Sequence, residues 1–192
     1  MKKYFLYIIA VFLLLDSCKK TDHSNLLTAQ EFPTTIGSWW KYQVLNQNNK
    51  ILDTLTITIV DMQTIGGISM QRWSYNTSSY ADTVDVLPSD TSIGFYNYGS
   101  EYLSINFPVI DNESWTIPIQ GFSYKTGIQN ITVQNTSYNG AIYLNQYEPP
   151  SVGTSVNESI WIVKNIGIVQ HIINDEGGPP YSNEQLIAYH IN

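Results

Sequence analysis

The chain has a single cysteine, Cys18, among 192 residues. One thiol cannot close an internal disulfide, so packing alone must hold whatever folds. Positive charge is scarce: 9 Lys and Arg stand against 16 Asp and Glu, for a formal net charge of −7. That balance excludes the clustered cationic face on which nucleic-acid binding depends. It also disfavours a domain that lies flat on anionic lipid. No apolar run approaches the roughly 20 residues that a membrane-spanning helix needs. Helical 3.6-residue periodicity is not sustained over any stretch beyond the N-terminus, which excludes an α-helical core. There is no Gly-x-Ser-x-Gly elbow and no glycine-rich phosphate loop.

What the chain does have begins at its N-terminus. Lys2 and Lys3 precede Tyr4–Leu15, an uncharged apolar run, and Leu15-Asp16-Ser17-Cys18 closes it. Basic, apolar and small residues in that order are the layout of an export signal. The four closing residues read as a lipobox, with Cys18 as the lipid-bearing N-terminus of the mature protein. The alternatives are plain secretion and a membrane helix. Asp16 departs from the pattern, because that position is usually apolar or small. Two or three acyl chains hold a protein stably on a bilayer. The division that follows is a signal peptide over 1–17, a tether over 18–32 and a β domain over 33–192. Loss of Lys2, Lys3 and Asp16 with the signal leaves 7 basic and 15 acidic residues.

This segment resembles bacterial lipoprotein signals, and its Ser17-Cys18-Lys19-Lys20 ending resembles those of Bacteroidetes in particular. The resemblance implies lipid anchoring in the outer membrane, with the periplasmic or outward face left open. Lys19 and Lys20 do not look like the Asp-based signal for retention in the inner membrane.

The remainder reads as strands. Trp39–Asn46 alternates, with Trp40, Tyr42 and Val44 on one face. Residues 51–61 alternate most cleanly, with Leu55, Ile57 and Ile59 inward and Thr54, Thr56 and Thr58 outward. Gly66-Gly67 marks a turn before Ile68–Tyr75, where Met70 is out of phase with Trp73 and a bulge is expected. Further strands fall at 80–87, 91–98, 101–107, 115–119, 131–134, 141–147, 158–164, 167–173 and 185–191, with Gly121, Gly127 and Gly140 as breaks. Turn signals every 8–12 residues or so argue an all-β domain. The expected fold class is a single antiparallel, strongly curved sheet or a β-barrel or half-barrel, with lipocalin-like and sandwich folds as alternatives.

Phe32–Tyr42 (FPTTIGSWWKY) resembles the P-x-x-x-G-x-x-W-x-Y opening of uncharacterised Bacteroidetes outer-membrane lipoproteins. Trp161–Val169 (WIVKNIGIV) resembles their closing W-x-x-x-G-V-G-x-V segment, and Leu186–Tyr189 their last strand. Asn165 stands where that family often has Gly. The resemblance implies a strongly curved antiparallel sheet. Gly37-Ser38-Trp39 is also similar to the G-x-W start of lipocalins, but the sole arginine, Arg72, is mid-chain. Asp53-Thr54-Leu55 and Asp82-Thr83-Val84 resemble the D-[S/T]-aliphatic O-glycosylation sites of Bacteroidetes envelope proteins, which would place sugar on Thr54 and Thr83.

Candidate chemistry is sparse. His171 lies in an apolar strand and His190 at the chain end, and each reads as a strand residue rather than a catalytic base. Their spacing fits no zinc site, and Asp111-Asn112-Glu113 matches no calcium loop. Asp82 and Asp85 fall on opposite faces of one strand. No catalytic residue, metal site or cofactor is expected, and the domain reads as non-enzymatic. Aromatic residues are abundant, and Tyr96, Tyr98, Tyr143 and Tyr147 are the candidate ligand face, because rings beside Asn and Gly suit sugars or proteins. The expected role is a binding module for a glycan, peptide or apolar ligand. Alternatives are a structural lipoprotein docked on another envelope protein, a lipid carrier and a hydrolase. Each makes a distinct demand: an apolar cavity lined by residues such as Leu55, Ile57, Ile131 and Val133 for a carrier, two converging carboxylates for a hydrolase.

Overall fold

Alternation along residues 51–61 does what the pattern requires: Leu55, Ile57 and Ile59 are buried and the intervening threonines are not. In the computed structural model, which describes residues 27–117, 122–147, 156–175 and 180–192, the pattern is repeated around one sheet. Its strands are β1 (Trp39–Leu45), β2 (Ile51–Ile65), β3 (Ile68–Asn76), β4 (Ala81–Pro88), β5 (Ser92–Asn97), β6 (Ser100–Asn106), β7 (Ser114–Thr116), β8 (Ser123–Val133), β9 (Thr136–Tyr147), β10 (Val156–Val163), β11 (Gly167–Asp175) and β12 (Pro180–His190). All pairs are antiparallel, in the order β6-β5-β4-β3-β2-β1-β12-β11-β10-β9-β8-β7. Two meanders, β1–β6 and β7–β12, are thus joined where β1 pairs with β12. The free edges, β6 and β7, are neighbours in sequence. The sheet curls until its edges approach, without closing.

One side chain bridges that gap. The Tyr124 hydroxyl, from β8, donates to the backbone carbonyl of Tyr102 at 3.1 Å and accepts from the Ser104 amide. It satisfies edge groups of β6 that would otherwise template another strand. Inside the curl, Trp40 stacks on Trp73 with ring centroids 5.3 Å apart, and Trp73 meets Phe95 edge-on at 5.5 Å. Trp40 Nε1 donates to Ile166 O at 2.5 Å and the Tyr42 hydroxyl to Ile168 O at 2.9 Å, tying β1 to the β10–β11 turn and to β11 across the interior. Gly167 lies under the Trp40 ring with φ of +93°; a Cβ there would sit 3.3 Å from the indole nitrogen, so both backbone and space call for glycine.

The N-terminal segment belongs to the core rather than to a tether ending at residue 32. Leu27 is fully buried and bridges Val109, and Phe32 packs on Phe107. A short 3-10 turn, Ala29–Glu31, is capped by its own Glu31 carboxylate, which accepts from Thr28 N at 2.8 Å. Glu31 also pairs with Lys164 at 3.0 Å. This segment plugs the end of the curl where β6 ends and the β2–β3 and β10–β11 turns lie.

Three further expectations are corrected. The bulge near Met70 is on the partner strand: Ile59 pairs with Trp73 and Asp61 with Arg72, leaving Val60 unpaired on β2. A second irregularity between Val44 and Leu45 turns Leu45, not Val44, into the buried residue. Gly127 and Gly140 do not interrupt strands. Gly127 sits in β8 opposite Tyr143, and Gly140 in β9 takes a φ of +69° where its amide donates to Asn130 Oδ1 at 2.9 Å. Neither a two-layer sandwich nor a closed lipocalin barrel forms. Trp39 stacks on His190, at 6.3 Å, where a lipocalin would set its tryptophan on an arginine.

Candidate functional site

At the end of the curl opposite the N-terminal plug, the interior stops being apolar. Each contributor is placed by strand register. His171 of β11 pairs with Ile160 of β10 on one side and Glu184 of β12 on the other. Glu158 is two residues before Ile160, so it projects on the same face, diagonal to His171. His171 Nε2 lies 3.2 Å from Glu158 Oε2, and Nδ1 lies 3.2 Å from Glu184 Oε2. All three side chains are about four-fifths buried, at 22%, 22% and 20% exposure for His171, Glu158 and Glu184.

The electrostatics follow from that geometry. Burial works against the imidazolium, but hydrogen bonds and charge from Glu158 and Glu184 outweigh it and raise the His171 pKa to about 10. At neutral pH both ring nitrogens therefore carry protons, and His171 is a cation rather than a base. Tyrosines of the facing meander complete the wall. Burial pushes the phenols of Tyr42 and Tyr75 well above their usual range; Glu184 adds to the first, and Tyr102, Tyr42 and Glu184 to the second. Tyr102 is raised by burial and then by Glu158. Between these groups is a cavity of about 120 Å³, walled also by Leu55, Ile57, Tyr80, Phe95, Leu103, Ile160 and Ile168.

Beside the cavity runs a row of paired residues, Trp115, Tyr124, Gln146 and Glu158, across β7 to β10. Trp115 stacks on Tyr124 at 5.4 Å. Trp115 Nε1 and Gln146 Oε1 are buried and have no hydrogen-bond partner among the described residues. A larger open groove, about 250 Å³, lies at the plugged end by Gln30, Thr34, Asp90 and Phe107. It brings no comparable set of charged groups together. Among the described residues, no three His, Cys, Asp or Glu side chains are arranged to hold a metal ion.

The tyrosines expected to form a ligand face come from different strands and turns. Tyr96 is half-buried on β5, and Tyr98 stands 95% exposed at the β5–β6 turn. Tyr143 is on β9, at the far side of the sheet order, packed on Trp161 at 5.0 Å and hydrogen-bonded to Asn145 and Ser159 at 3.0 and 3.2 Å. The side chain of Tyr147 lies outside the described residues, as does Cys18. Thr54 and Thr83 each donate their backbone amide to the preceding carboxylate: Thr54 N to Asp53 Oδ1 at 2.7 Å and Thr83 N to Asp82 Oδ1 at 2.8 Å. Thr83 is exposed and Thr54 half-buried. Of the four apolar residues named for a carrier cavity, Leu55 and Ile57 line this one and Ile131 and Val133 do not.

His171 is the half-buried strand residue expected, not a base; what that reading lacks is its placement between Glu158 and Glu184. A signal was present in the phases. Glu158 shares parity with Ile160 and Ile162, His171 with Val169, and Glu184 with Leu186, all buried. Three ionisable residues thus take inward positions on adjacent strands.

Fold and site together define a class: a curled, open antiparallel sheet around a filled core with a charged cavity at one end. Two solved structures share that fold. One, from Bacteroides fragilis NCTC 9343, is assigned as an exported protein with a YmcC-like fold; it is 9% identical, with 83% of this chain and 98% of that chain covered and a TM-score of 0.51. The other, assigned as a lipoprotein of Parabacteroides distasonis ATCC 8503, is 12% identical, with the same coverage and a TM-score of 0.53. No family model and no curated protein matches the chain.

Proposed function

We propose that this is a lipid-anchored domain of the bacterial cell envelope, held in the outer membrane through Cys18, that binds a partner group in its interior cavity and catalyses no reaction. The anchor reading draws on the N-terminal layout and on a fold shared with chains assigned as exported and as a lipoprotein. The observation that carries the binding reading is the Glu158–His171–Glu184 group set against Tyr75 and Tyr102 at the open end of the sheet. Leu27, the first of the described residues, lies at the opposite, plugged end.

The alternatives fare less well against the geometry. About 120 Å³ is far below the 300–1,000 Å³ or so of a small-molecule pocket, which speaks against carriage of a whole lipid. Two carboxylates do converge, as a hydrolase would need. The imidazolium occupies the space between them where a scissile bond would lie, and both are engaged by it. Docking on another envelope protein keeps one supporting observation, the exposed Met62, Ile65 and Ile68 on the projecting β2–β3 arm.

Two measurements test the proposal. Acyl labelling and fractionation should place the intact protein in the outer membrane and release Cys18→Ser to soluble fractions. An NMR screen of short peptides, mono- and disaccharides and fatty acids should give saturable shifts at Tyr75, Tyr102 and His171 with a peptide or sugar. Saturation by fatty acids alone, or by nothing, would overturn the binding reading.

A further inference from the structure

The cavity leaves an oxygen of each carboxylate open. Each carboxylate gives one oxygen to His171, Glu158 Oε2 to Nε2 and Glu184 Oε2 to Nδ1. The second oxygen of each has no hydrogen-bond partner among the described residues. Beside the cavity, Gln146, only 4% exposed and paired with Glu158 on the interior face, has a buried oxygen that likewise has none. The hydroxyl of Tyr42, one of the donors nearby, is committed to Ile168 O at 2.9 Å. Charge is unbalanced in the same sense. Two carboxylates around one imidazolium leave a single negative charge in excess, in a place where unpaired charge is costly.

From this we infer that the cavity receives a primary ammonium group on a linear alkyl stem, of which the lysine side chain is the commonest carrier. The inference rests on the reading of the interior as a binding pocket. An ammonium has three donors and no acceptor, which suits the open oxygens of Glu158 and Glu184. Its positive charge offsets the excess. The four-carbon stem of lysine would lie along Leu55, Ile57 and Ile160, and the rings of Tyr75, Tyr80 and Phe95 offer faces on which a cation is attracted. A neutral sugar hydroxyl can donate to a carboxylate but brings no positive charge to offset the excess. An anion meets two carboxylates. A guanidinium is a wide planar fork that seeks bidentate carboxylates, and here one oxygen of each is already bound to His171.

The test titrates isotope-labelled full-length protein at neutral pH and matched ionic strength, reading the ring signals of His171, Tyr75 and Tyr102. The probes are n-butylammonium chloride, n-butanol and sodium chloride. Nα-acetyl-lysine methylamide and glucosamine separate a peptide source of the amine from an amino sugar. Saturable shifts are expected with butylammonium and the lysine derivative, with glucosamine at least tenfold weaker. Glu184→Gln should weaken butylammonium binding tenfold or more. If butanol saturates the site as tightly as butylammonium, the pocket stands and the ammonium inference falls. If glucosamine binds as well as the lysine derivative, the linear stem is wrong. If no probe produces a saturable shift, the pocket itself is refuted. The wild-type comparison decides the matter even where Glu184→Gln fails to fold.

Discussion

Replacing His171 by glutamine removes the cation between Glu158 and Glu184 while keeping a polar side chain of similar reach. The effect on stability has a definite sign. The folded state holds the His171 proton up to about pH 10, and the unfolded chain releases it near 6.5. Stabilisation from that proton is therefore complete below pH 6.5, declines through the window between 6.5 and 10, and is gone above it. Linkage of one proton gives a slope of roughly 1 kcal/mol per pH unit, a few kcal/mol in all. The assay is equilibrium urea unfolding of wild type and His171→Gln at intervals from about pH 6 to 10. The variant should be the less stable by a few kcal/mol at the acid end, with the gap closing steadily as pH rises. A constant gap would refute the argument, because it would mean that His171 contributes packing and no retained proton. A gap already closed near pH 7 would show that the carboxylates do not hold the proton.

Other consequences can be measured separately. Tyr124→Phe strips the hydroxyl from the gap between the sheet edges and leaves Tyr102 O and Ser104 N unpaired; a loss of about 1–3 kcal/mol and faster amide exchange at Ser104 are expected, and unchanged exchange would contradict the bridge. Gly167→Ala forces a side chain into left-handed backbone under Trp40, so a loss of at least about 1 kcal/mol is expected together with a change in tryptophan fluorescence. Ile59→Ala empties a fully buried position and should cost about 2–5 kcal/mol by chemical denaturation. A cost below 1 kcal/mol or so would place β2 outside the core.

Period-2 alternation made the strands of the first meander readable, because from Leu55 to Ile59 the aliphatic residues are buried and the threonines between them are not. What alternation does not carry is the bulge. Val60 changes the phase of β2, and Leu45 takes the burial that the pattern gives to Val44. Such irregularities depend on a partner strand's curvature, which no local window contains. Leu27 looked like tether for a similar reason: its burial requires Val109, a residue far along the chain. The site was hidden by distance of another kind. His171 is 13 residues from Glu158 and 13 from Glu184, one hairpin away in each direction, and only the registers of β10–β11 and β11–β12 bring them together. Tyr96 and Tyr143 sit among polar residues on strands of different meanders, β5 and β9.

Nitrogen chemical shifts of His171, followed from about pH 6 to 11, bear most directly on the proposed interior. The geometry predicts an imidazolium with both ring nitrogens protonated at pH 8 or so, releasing its proton only near 10 and moving the Tyr75 and Tyr102 ring signals as it does. A ring that titrates near its ordinary value, or a single neutral tautomer at neutral pH, would contradict the placement of His171 between two buried carboxylates.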